Sequence, residues 1–301
     1  MIKNILTYVV DPADNYTFLR EVLIYHMKIS HALLTKLKIQ QKIKVNGQVT
    51  LTNYRMKPGD LVTVDIDLEE MNGIAPQDIP LEIVYEDLDF LVINKPPGLA
   101  VHPVKGITDG TLANAVTYYW LQQGKNSLFR PINRLDKNTS GLILIGQSKY
   151  AHQAIFHQLK QGTIKRKYQA VVEGIVQEDA GRINLPIARL DPRRCERTID
   201  PSGKHAVTNY TVMKRYEGFT LLSLTLDTGR THQIRVHLSQ SGYPVCGDTL
   251  YGSSSGLINR QALHAGQLAF MHPRTETYMH FEVGLPSDIA KLLESFTPPY
   301  T

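Results

Sequence analysis

Residues 131–141 read Pro-Ile-Asn-Arg-Leu-Asp-Lys-Asn-Thr-Ser-Gly, and the apolar run Leu-Ile-Leu-Ile follows directly at 142–145. A short polar segment that leads into such a run predicts a surface loop in front of a buried strand. A rigid strand can present a catalytic group from a loop of this kind. The residues alone nevertheless favour an ordinary surface loop that carries an Arg134–Asp136 pair.

The segments on either side of this stretch predict a mixed α/β domain over residues 81–301. Adjoining strands outnumber strict strand–helix alternation, which predicts an α+β fold with a mixed, mostly antiparallel central sheet and flanking helices. The predicted strands cover residues 83–84, 91–93, 142–145, 168–172, 209–216 and 219–226. The predicted helices begin near residue 109, after Ser148, near 231 and near 287.

The first part of the chain predicts a small α/β unit over residues 1–67. Thr17 and Ser30 can cap two short helices, and Asn46-Gly47 between β-branched residues predicts a tight hairpin. Residues 68–80 contain charges, glycine and two prolines without an apolar period, so we expect them to form a linker.

The charges are unevenly distributed, although the formal net charge is only +5. Residues 28–57 contain seven basic side chains and no acidic one, whereas residues 65–90 contain nine acidic side chains and no basic one. A basic block inside a folded unit predicts a surface that faces phosphates, as in RNA binding. An ordinary solvated face explains the charge pattern equally well.

The composition is that of a folded protein, with 42% hydrophobic and 20% charged residues. No stretch approaches the ~20 apolar residues of a membrane span, and the N-terminus does not resemble a signal peptide. Cys195 and Cys246 lie far apart, which favours a reduced, cytoplasmic protein. His232 and His237 lack the spacing of a helical zinc motif, and no glycine-rich phosphate loop is found.

Several segments resemble one family when they are taken in order along the chain. Residues 133–141 resemble the HRLDxxTSG motif of the RluA/RluD family of pseudouridine synthases, and the unit at 15–67 resembles the S4 RNA-binding module. The other matching segments are residues 94–103, 166–170, 229–238, 247–248, 251–252, 263–265 and 272–273. The resemblance therefore covers nearly the whole chain.

The resemblance implies an RNA uridine isomerase that needs no cofactor and no metal. It implies that Asp136 is the catalytic carboxylate, that Arg230 pairs with it and lies against the base, and that Tyr168 stacks on the target uracil. Arg134 is implied to fill the space that the flipped base leaves. A neighbouring cation favours the ionised carboxylate that such chemistry needs. The residues expected to bind RNA phosphates through the N-terminal unit are Lys36, Lys38, Lys42, Lys44 and Arg55.

The chain departs from the family motif at Asn133, where the family usually has histidine. Asparagine can still bond a phosphate or a base edge, but it cannot carry charge. This departure keeps a second hypothesis open, a non-catalytic RNA-binding or ribosome-assembly factor with a decayed site. A hydrolase ranks last, because Asp136 has no partner carboxylate in its motif. We expect a monomer that acts on large-subunit ribosomal RNA, with transfer RNA as the other substrate left open.

Overall fold

The computed structural model describes residues 4–68, 73–104, 106–125, 127–191, 194–252, 254 and 256–296. Residues 69–72 of the predicted linker lie outside this set, as do the ends of the two predicted domains. The described chain forms one four-stranded sheet, one two-stranded sheet and one nine-stranded sheet. No helix within the described ranges has both the length and the apolar character that crossing a bilayer requires.

The N-terminal unit is a four-stranded antiparallel sheet covered by short helices. Its elements are β1 (Ile5–Val9), α1 (Leu19–Glu21), a π-helical turn (Val22–His26), α2 (His31–Ile39), β2 (Ile43–Val45), β3 (Gln48–Val49) and β4 (Leu61–Asp65). The strand order is β1-β4-β2-β3. The buried side chains of α2 and β4 join one hydrophobic core, which gives the unit an interior of its own.

Local sequence signals explain most of this unit. Ser30 caps α2 as predicted, since its hydroxyl accepts a hydrogen bond from the Leu33 amide at 3.2 Å. The hairpin between β2 and β3 is also confirmed, with positive φ at both turn residues. The predicted cap at Thr17 is wrong. The Glu21 carboxylate instead accepts the Thr17 and Phe18 amides, at 2.7 and 3.1 Å, and α1 begins at Leu19.

The nine-stranded sheet forms the centre of the remaining chain. Its strands are β5 (Ile83–Glu86), β6 (Phe90–Lys95), β7 (Ser140–Gly146), β8 (Lys165–Glu173), β9 (Ala180–Asn184), β12 (Val207–Tyr216), β13 (Phe219–Leu226), β14 (Leu263–Met271) and β15 (Tyr278–Glu282). Their order is β5-β6-β7-β14-β8-β13-β12-β9, with β15 beside β14. The pairs described are antiparallel except β7 with β14, which confirms the predicted mixed, mostly antiparallel sheet.

Helices cover both faces of this sheet. They are α3 (Leu112–Gln122), α4 (Lys149–Gln161), α5 (Gln233–Gln240) and α6 (Ser287–Glu294), and a separate hairpin pairs β10 (Ile187–Arg189) with β11 (Arg197–Ile199). Ile143 and Ile145 of β7 pack into one core, whereas Leu142 and Leu144 pack into the core beside α4. The run at 142–145 is therefore continuously apolar because β7 is covered on both faces.

The N-terminal unit contacts the nine-stranded sheet and its flanking segments through a few defined residues. Tyr150 of α4 is buried in the N-terminal core. Arg274 forms a two-pronged ion pair with Asp89 and also donates to the Ile5 carbonyl at 3.1 Å. In the predicted linker, the Ala75 carbonyl accepts the Asn114 side chain at 2.8 Å. The domain limits at 67 and 81 stay a prediction.

Gly141 sets the position of the loop that precedes β7. Its φ is +112°, and a Cβ there would overlap the Ala265 carbonyl oxygen and lie 2.7 Å from the carbonyl carbon. Ala265 belongs to β14, which pairs with β7 at this point. Only glycine allows the two backbones to approach so closely.

We expect Gly141→Ala to lower the free energy of unfolding by at least about 2 kcal/mol, because it combines an unfavourable φ with backbone overlap. Gly218→Ala is the matched control. Gly218 also has a positive φ, +75°, but nothing lies within 4 Å of its added Cβ. Urea unfolding of both variants measures the difference. Equal losses for the two would show that close approach at Gly141 costs nothing.

Candidate active site

The loop at 132–139 opens onto a small cavity between β8, β13 and the start of α5. The cavity has a volume of about 50 Å³, room for one or two water molecules. Its lining residues are Arg134, Leu135, Asp136, Thr139, Tyr168, Leu226, Arg230, His232, Gln233, Ile234, Arg235 and Leu263. The tertiary structure thus brings Asp136, Tyr168, Arg134 and Arg230, all predicted from sequence, to one place.

Asp136 pairs with Arg235. The Arg235 Nη1 donates to Asp136 Oδ2 at 3.0 Å. The expected pair between Arg230 and Asp136 is therefore wrong. Arg230 lies in the turn ahead of α5 and donates its Nε to the His205 carbonyl at 3.0 Å, whereas Arg235 lies within the helix.

A second carboxylate fixes the guanidinium of Arg235. Its Nε and Nη2 donate to the two oxygens of Asp248, at 2.7 and 2.8 Å, and both side chains are buried. Burial acts to lower the pKa of Arg235, but the bonds and charge of Asp248, helped by Asp136, raise it. Arg235 therefore stays charged and presents one N–H group to Asp136 in a fixed direction.

His232 closes the other side of the carboxylate. Its Nε2 lies 3.9 Å from Asp136 Oδ1, and its Nδ1 lies 2.8 Å from the Tyr251 hydroxyl. The same hydroxyl accepts the Arg197 amide at 2.8 Å. Burial lowers the pKa of His232 and outweighs the opposing charge of Asp136. A neutral imidazole beside Oδ1 leaves Arg235 as the cation that Asp136 contacts directly.

Two buried cations hold the backbone of the loop that carries Asp136. Lys95 Nζ donates to the Lys137 carbonyl at 3.0 Å and to the Pro96 and Leu99 carbonyls. Arg260 donates to the next carbonyl, that of Asn138, at 3.0 Å. Burial and the charge of Arg260 lower the pKa of Lys95 to about 7, against the opposing charge of Asp136.

Tyr168 and Arg134 differ in how firmly they are held. Tyr168 is buried on β8, between β13 and β14, and burial raises the pKa of its phenol. Arg134 is exposed at the cavity mouth, and its side chain forms no hydrogen bond or ion pair with the described residues. The tyrosine is a fixed wall, and the arginine is free to move.

Asn133 is a structural residue of the loop. It is buried, its Oδ1 accepts the Leu144 amide at 2.8 Å, and its Nδ2 donates to the Leu142 carbonyl at 3.2 Å. Both ends of the amide are therefore used to fasten the loop to β7. Because the side chain is buried and both ends of its amide are bonded, Asn133 is not available to hydrogen-bond a phosphate or a base edge.

The predicted RNA-binding residues of the N-terminal unit lie away from this cavity. Lys36 and Lys38 are exposed on α2, Lys44 is exposed on β2, and Arg55 is exposed in the following loop. Lys42 is half-buried and forms an ion pair with Asp65 at 2.8 Å. No group of three histidine, cysteine or acidic side chains in the described ranges is arranged to hold a metal ion.

Sequence reasoning missed Lys95, Arg235, Asp248 and Arg260. The first three lie inside segments that carry the family resemblance. The sequence therefore contained them in matching motifs but did not indicate which groups they bind. The helical position of Arg235 was the available signal, since α5 turns it toward the cavity while Arg230 lies outside the helix. Arg260 falls in no such segment, and only the packing beside Asn138 identifies it.

The comparisons with known proteins agree with this geometry. The profile of the RNA pseudouridylate synthase family matches residues 89–240. The chain belongs to this family. The protein is a pseudouridine synthase, an isomerase of the RluA/RluD type, as the motifs predicted.

Two curated relatives and one solved structure extend the match over most of this pseudouridine synthase. An uncharacterized RNA pseudouridine synthase of Bacillus subtilis, YlyB, is 43% identical over 87% of this chain and 89% of the relative. Ribosomal large subunit pseudouridine synthase D of Yersinia pestis is 38% identical over 85% of this chain and 83% of the relative. Human RNA pseudouridylate synthase domain containing 1 aligns with a TM-score of 0.56 and 26% identity, over 77% of this chain and all of that chain (100%).

We expect Lys95→Met to lower the free energy of unfolding by about 3 kcal/mol, because it leaves three carbonyls without their donor. Lys137→Met is the control, since the Lys137 side chain is exposed and only its carbonyl is bonded; we expect it to stay within about 0.5 kcal/mol. Urea unfolding measures both. Equal effects would mean that the bonds of Lys95 do not hold the loop.

The difference in free energy of unfolding between the wild type and Lys95→Met has a defined pH dependence. Lys95 titrates at about 7 when folded but near 10.4 when unfolded, so the unfolded chain binds more protons between these values. The free energy of unfolding of the wild type, relative to Lys95→Met, should therefore rise as the pH increases from 7 to 10. A flat difference across this range would contradict a lowered pKa.

Proposed function

We propose that this pseudouridine synthase modifies uridine in large-subunit ribosomal RNA, with Asp136 as its catalytic carboxylate. The observation that carries the proposal is the Asp136 carboxylate held by the buried Arg235–Asp248 pair in a cavity walled by Tyr168. The similarity to a ribosomal large subunit pseudouridine synthase supports the choice of RNA.

The reaction exchanges one glycosidic bond for another. The N1–C1′ bond of uridine breaks, the uracil turns, and a C5–C1′ bond forms. The proton on C5 leaves to solvent and N1 gains a proton, so the composition of the nucleotide is unchanged. The site must therefore supply a group that acts on the ribose or uracil and a wall against which the base can turn.

Asp136 presents one free oxygen to the substrate. Its Oδ2 accepts from Arg235, whereas Oδ1 forms no hydrogen bond to the described residues, its neighbour His232 lying 3.9 Å away. The carboxylate is thus oriented without using both oxygens. We assign Oδ1 as the atom that reacts with the nucleotide, since a fixed nucleophile or base avoids reorganisation during the reaction.

Arg134 controls how much room the uracil has at the mouth of the cavity. The cavity is open to solvent, and its volume of about 50 Å³ is smaller than a pyrimidine base. Because Arg134 is exposed and bonded to none of the described residues, its outward movement can widen the mouth beside Tyr168. Base flipping costs a few kcal/mol, and a guanidinium plane that fills the vacated stack offsets part of this. Arg230 lies at the same mouth and can contact the nucleotide.

In this proposal, the exposed cations of the N-terminal unit bind the phosphates of the RNA. Lys36 of α2 lies close enough to Lys149 of α4 that their like charges interact: burial, then the charges of Lys36 and Arg130, lower the pKa of Lys149. Like charges gathered across two parts of a chain suit a polyanion. We propose that this unit acts as an S4-like module over residues 1–67, in a cytoplasmic monomer.

We expect Asp136→Asn to bind RNA normally and to lose at least about 10⁴-fold in kcat, as when a nucleophile is removed. The amide oxygen can still accept from Arg235, whose two bonds to Asp248 persist, so the fold should survive. Release of tritium from RNA labelled at C5 of uridine measures turnover. Near-normal release by this variant would refute the role of Asp136.

We expect the triple variant Lys36→Gln, Lys38→Gln and Lys44→Gln to weaken RNA binding and to flatten its salt dependence by about one unit of slope per lost phosphate contact. Lys42→Gln is the matched control, because Asp65 already neutralises that lysine; its effect should be smaller. Titrations of labelled RNA at several salt concentrations measure both. An unchanged slope in the triple variant would remove this surface from the RNA interface.

The choice of RNA is tested by mapping pseudouridine in total RNA from cells with and without the protein. Loss of a signal in large-subunit ribosomal RNA supports the proposal, and loss confined to transfer RNA overturns it. A purely structural RNA-binding factor would change neither. The structural role of Asn133 removes the sequence feature that had suggested a decayed site.

A further inference from the structure

A second cavity lies beside the active site and shares two of its arginines. It has a volume of about 390 Å³ and is enclosed by the β10–β11 hairpin, the loop at 202–204 and the turn at 229–231. Arg134 and Arg230 line both this cavity and the cavity that contains Asp136. The two spaces are therefore neighbours with a common cationic border.

The second cavity is strongly cationic. Arg189, Arg197 and Lys204 join Arg134 and Arg230 in its wall, and none of the described residues that line it carries a carboxylate. The carboxylate of the nearby Asp200 stabilises its own turn, because its Oδ1 accepts hydrogen bonds from the amide and the hydroxyl of Ser202.

The hairpin places two of these cations directly opposite each other. Arg189 of β10 pairs in register with Arg197 of β11. Like charges in directly opposed positions destabilise a two-stranded sheet. Arg197 Nη1 donates to the Cys195 and Glu196 carbonyls, at 2.8 and 3.1 Å, and an anion bound beside the two guanidinium groups would lower their mutual repulsion further.

The backbone that carries these cations is fixed by hydrogen bonds and close packing. Ile187 and Lys204 exchange two hydrogen bonds of 2.9 Å, and a Cβ on Gly203 would lie 2.5 Å from the Ile187 carbonyl carbon. Arg189 is anchored through Nε to the Arg194 carbonyl at 2.9 Å. The remaining N–H groups of Arg189 bond to none of the described residues, so they can face the cavity.

We propose that this cavity binds a phosphodiester of the RNA backbone adjacent to the target uridine. The proposal rests on RNA as the substrate and extends it to a defined subsite. A nucleotide flipped toward Asp136 is joined covalently to its flanking phosphates, and the shared arginines place those phosphates at the border of the second cavity. Arginine suits this ligand because its planar fork matches phosphate oxygens.

The test combines a variant of the cavity with a neutral RNA linkage. The probe is the RNA fragment that carries the uridine found by mapping, prepared with a methylphosphonate on either its 5′ or its 3′ side. The variant carries both Arg189→Gln and Lys204→Gln, and both positions are exposed. If this double variant has a lowered Tm, the single variant Lys204→Gln is used in its place. The control is Lys291→Gln, an exposed lysine of α6 outside both cavities.

We expect the double variant to raise KM by about a hundredfold, since two contacts are lost and each bond to a charged group is worth roughly tenfold. The loss should lie mostly in KM rather than kcat. Its salt slope should fall by about 0.7 for each single-strand phosphate contact removed. One of the two methylphosphonates should raise KM for the wild type and for Lys291→Gln, but have little further effect on the double variant.

Three results would overturn the subsite. The first is an unchanged KM and salt slope in the double variant. The second is a methylphosphonate penalty that adds fully to that of the variant, which would place the phosphate elsewhere. The third is competition by inorganic phosphate or uridine monophosphate as effective as competition by the RNA strand, which would indicate a small-anion site. Failure of the proposed function is distinguishable, because the wild type would then release no tritium from the mapped RNA.

Discussion

The ion pair between Arg235 and Asp248 is the contact on which the active site depends. Both side chains are buried, so separating them would leave an unpaired charge inside the protein, at a cost of several kcal/mol. The guanidinium is therefore held in place, and its Nη1 donates to Oδ2 of Asp136. Under the proposed function, a carboxylate held in this way needs no rearrangement to act, and its second oxygen stays available to the nucleotide.

The backbone around Asp136 is held by hydrogen bonds from two other buried side chains. Lys95 and Arg260 each donate to one of two successive carbonyls, those of Lys137 and Asn138, so buried charge is satisfied by backbone and the loop is rigid. Gly141 then sets where the loop leaves β7, because its backbone lies against that of β14. Under the proposed function, the exposed cations Arg134 and Arg230 line the mouth through which the base must enter.

Local signals predicted much of the fold correctly. Ser30 and Ser148 cap their helices, and the Asn46-Gly47 hairpin and the apolar β7 form as expected. The central strand β14 was missed, because His264, Gly266 and Gln267 interrupt any alternation of apolar residues. Its extended form comes from pairing with neighbouring strands, and Nδ1 of the buried His264 lies 3.0 Å from the Ser140 hydroxyl. Intrinsic strand propensity does not predict strand pairing that depends on tertiary structure.

The sequence by itself determined the class of the fold and the family, and it singled out Asp136 as the carboxylate that we propose is catalytic, because these follow from short contiguous patterns. Only the tertiary structure decided that Arg235, and not Arg230, contacts this carboxylate. The reason is geometric: His232 adopts a left-handed conformation, with φ of +56°, just before α5 begins. This turn separates two arginines of one motif and directs the second toward a residue 99 positions away. Contacts at such separation depend on packing, which no local pattern encodes.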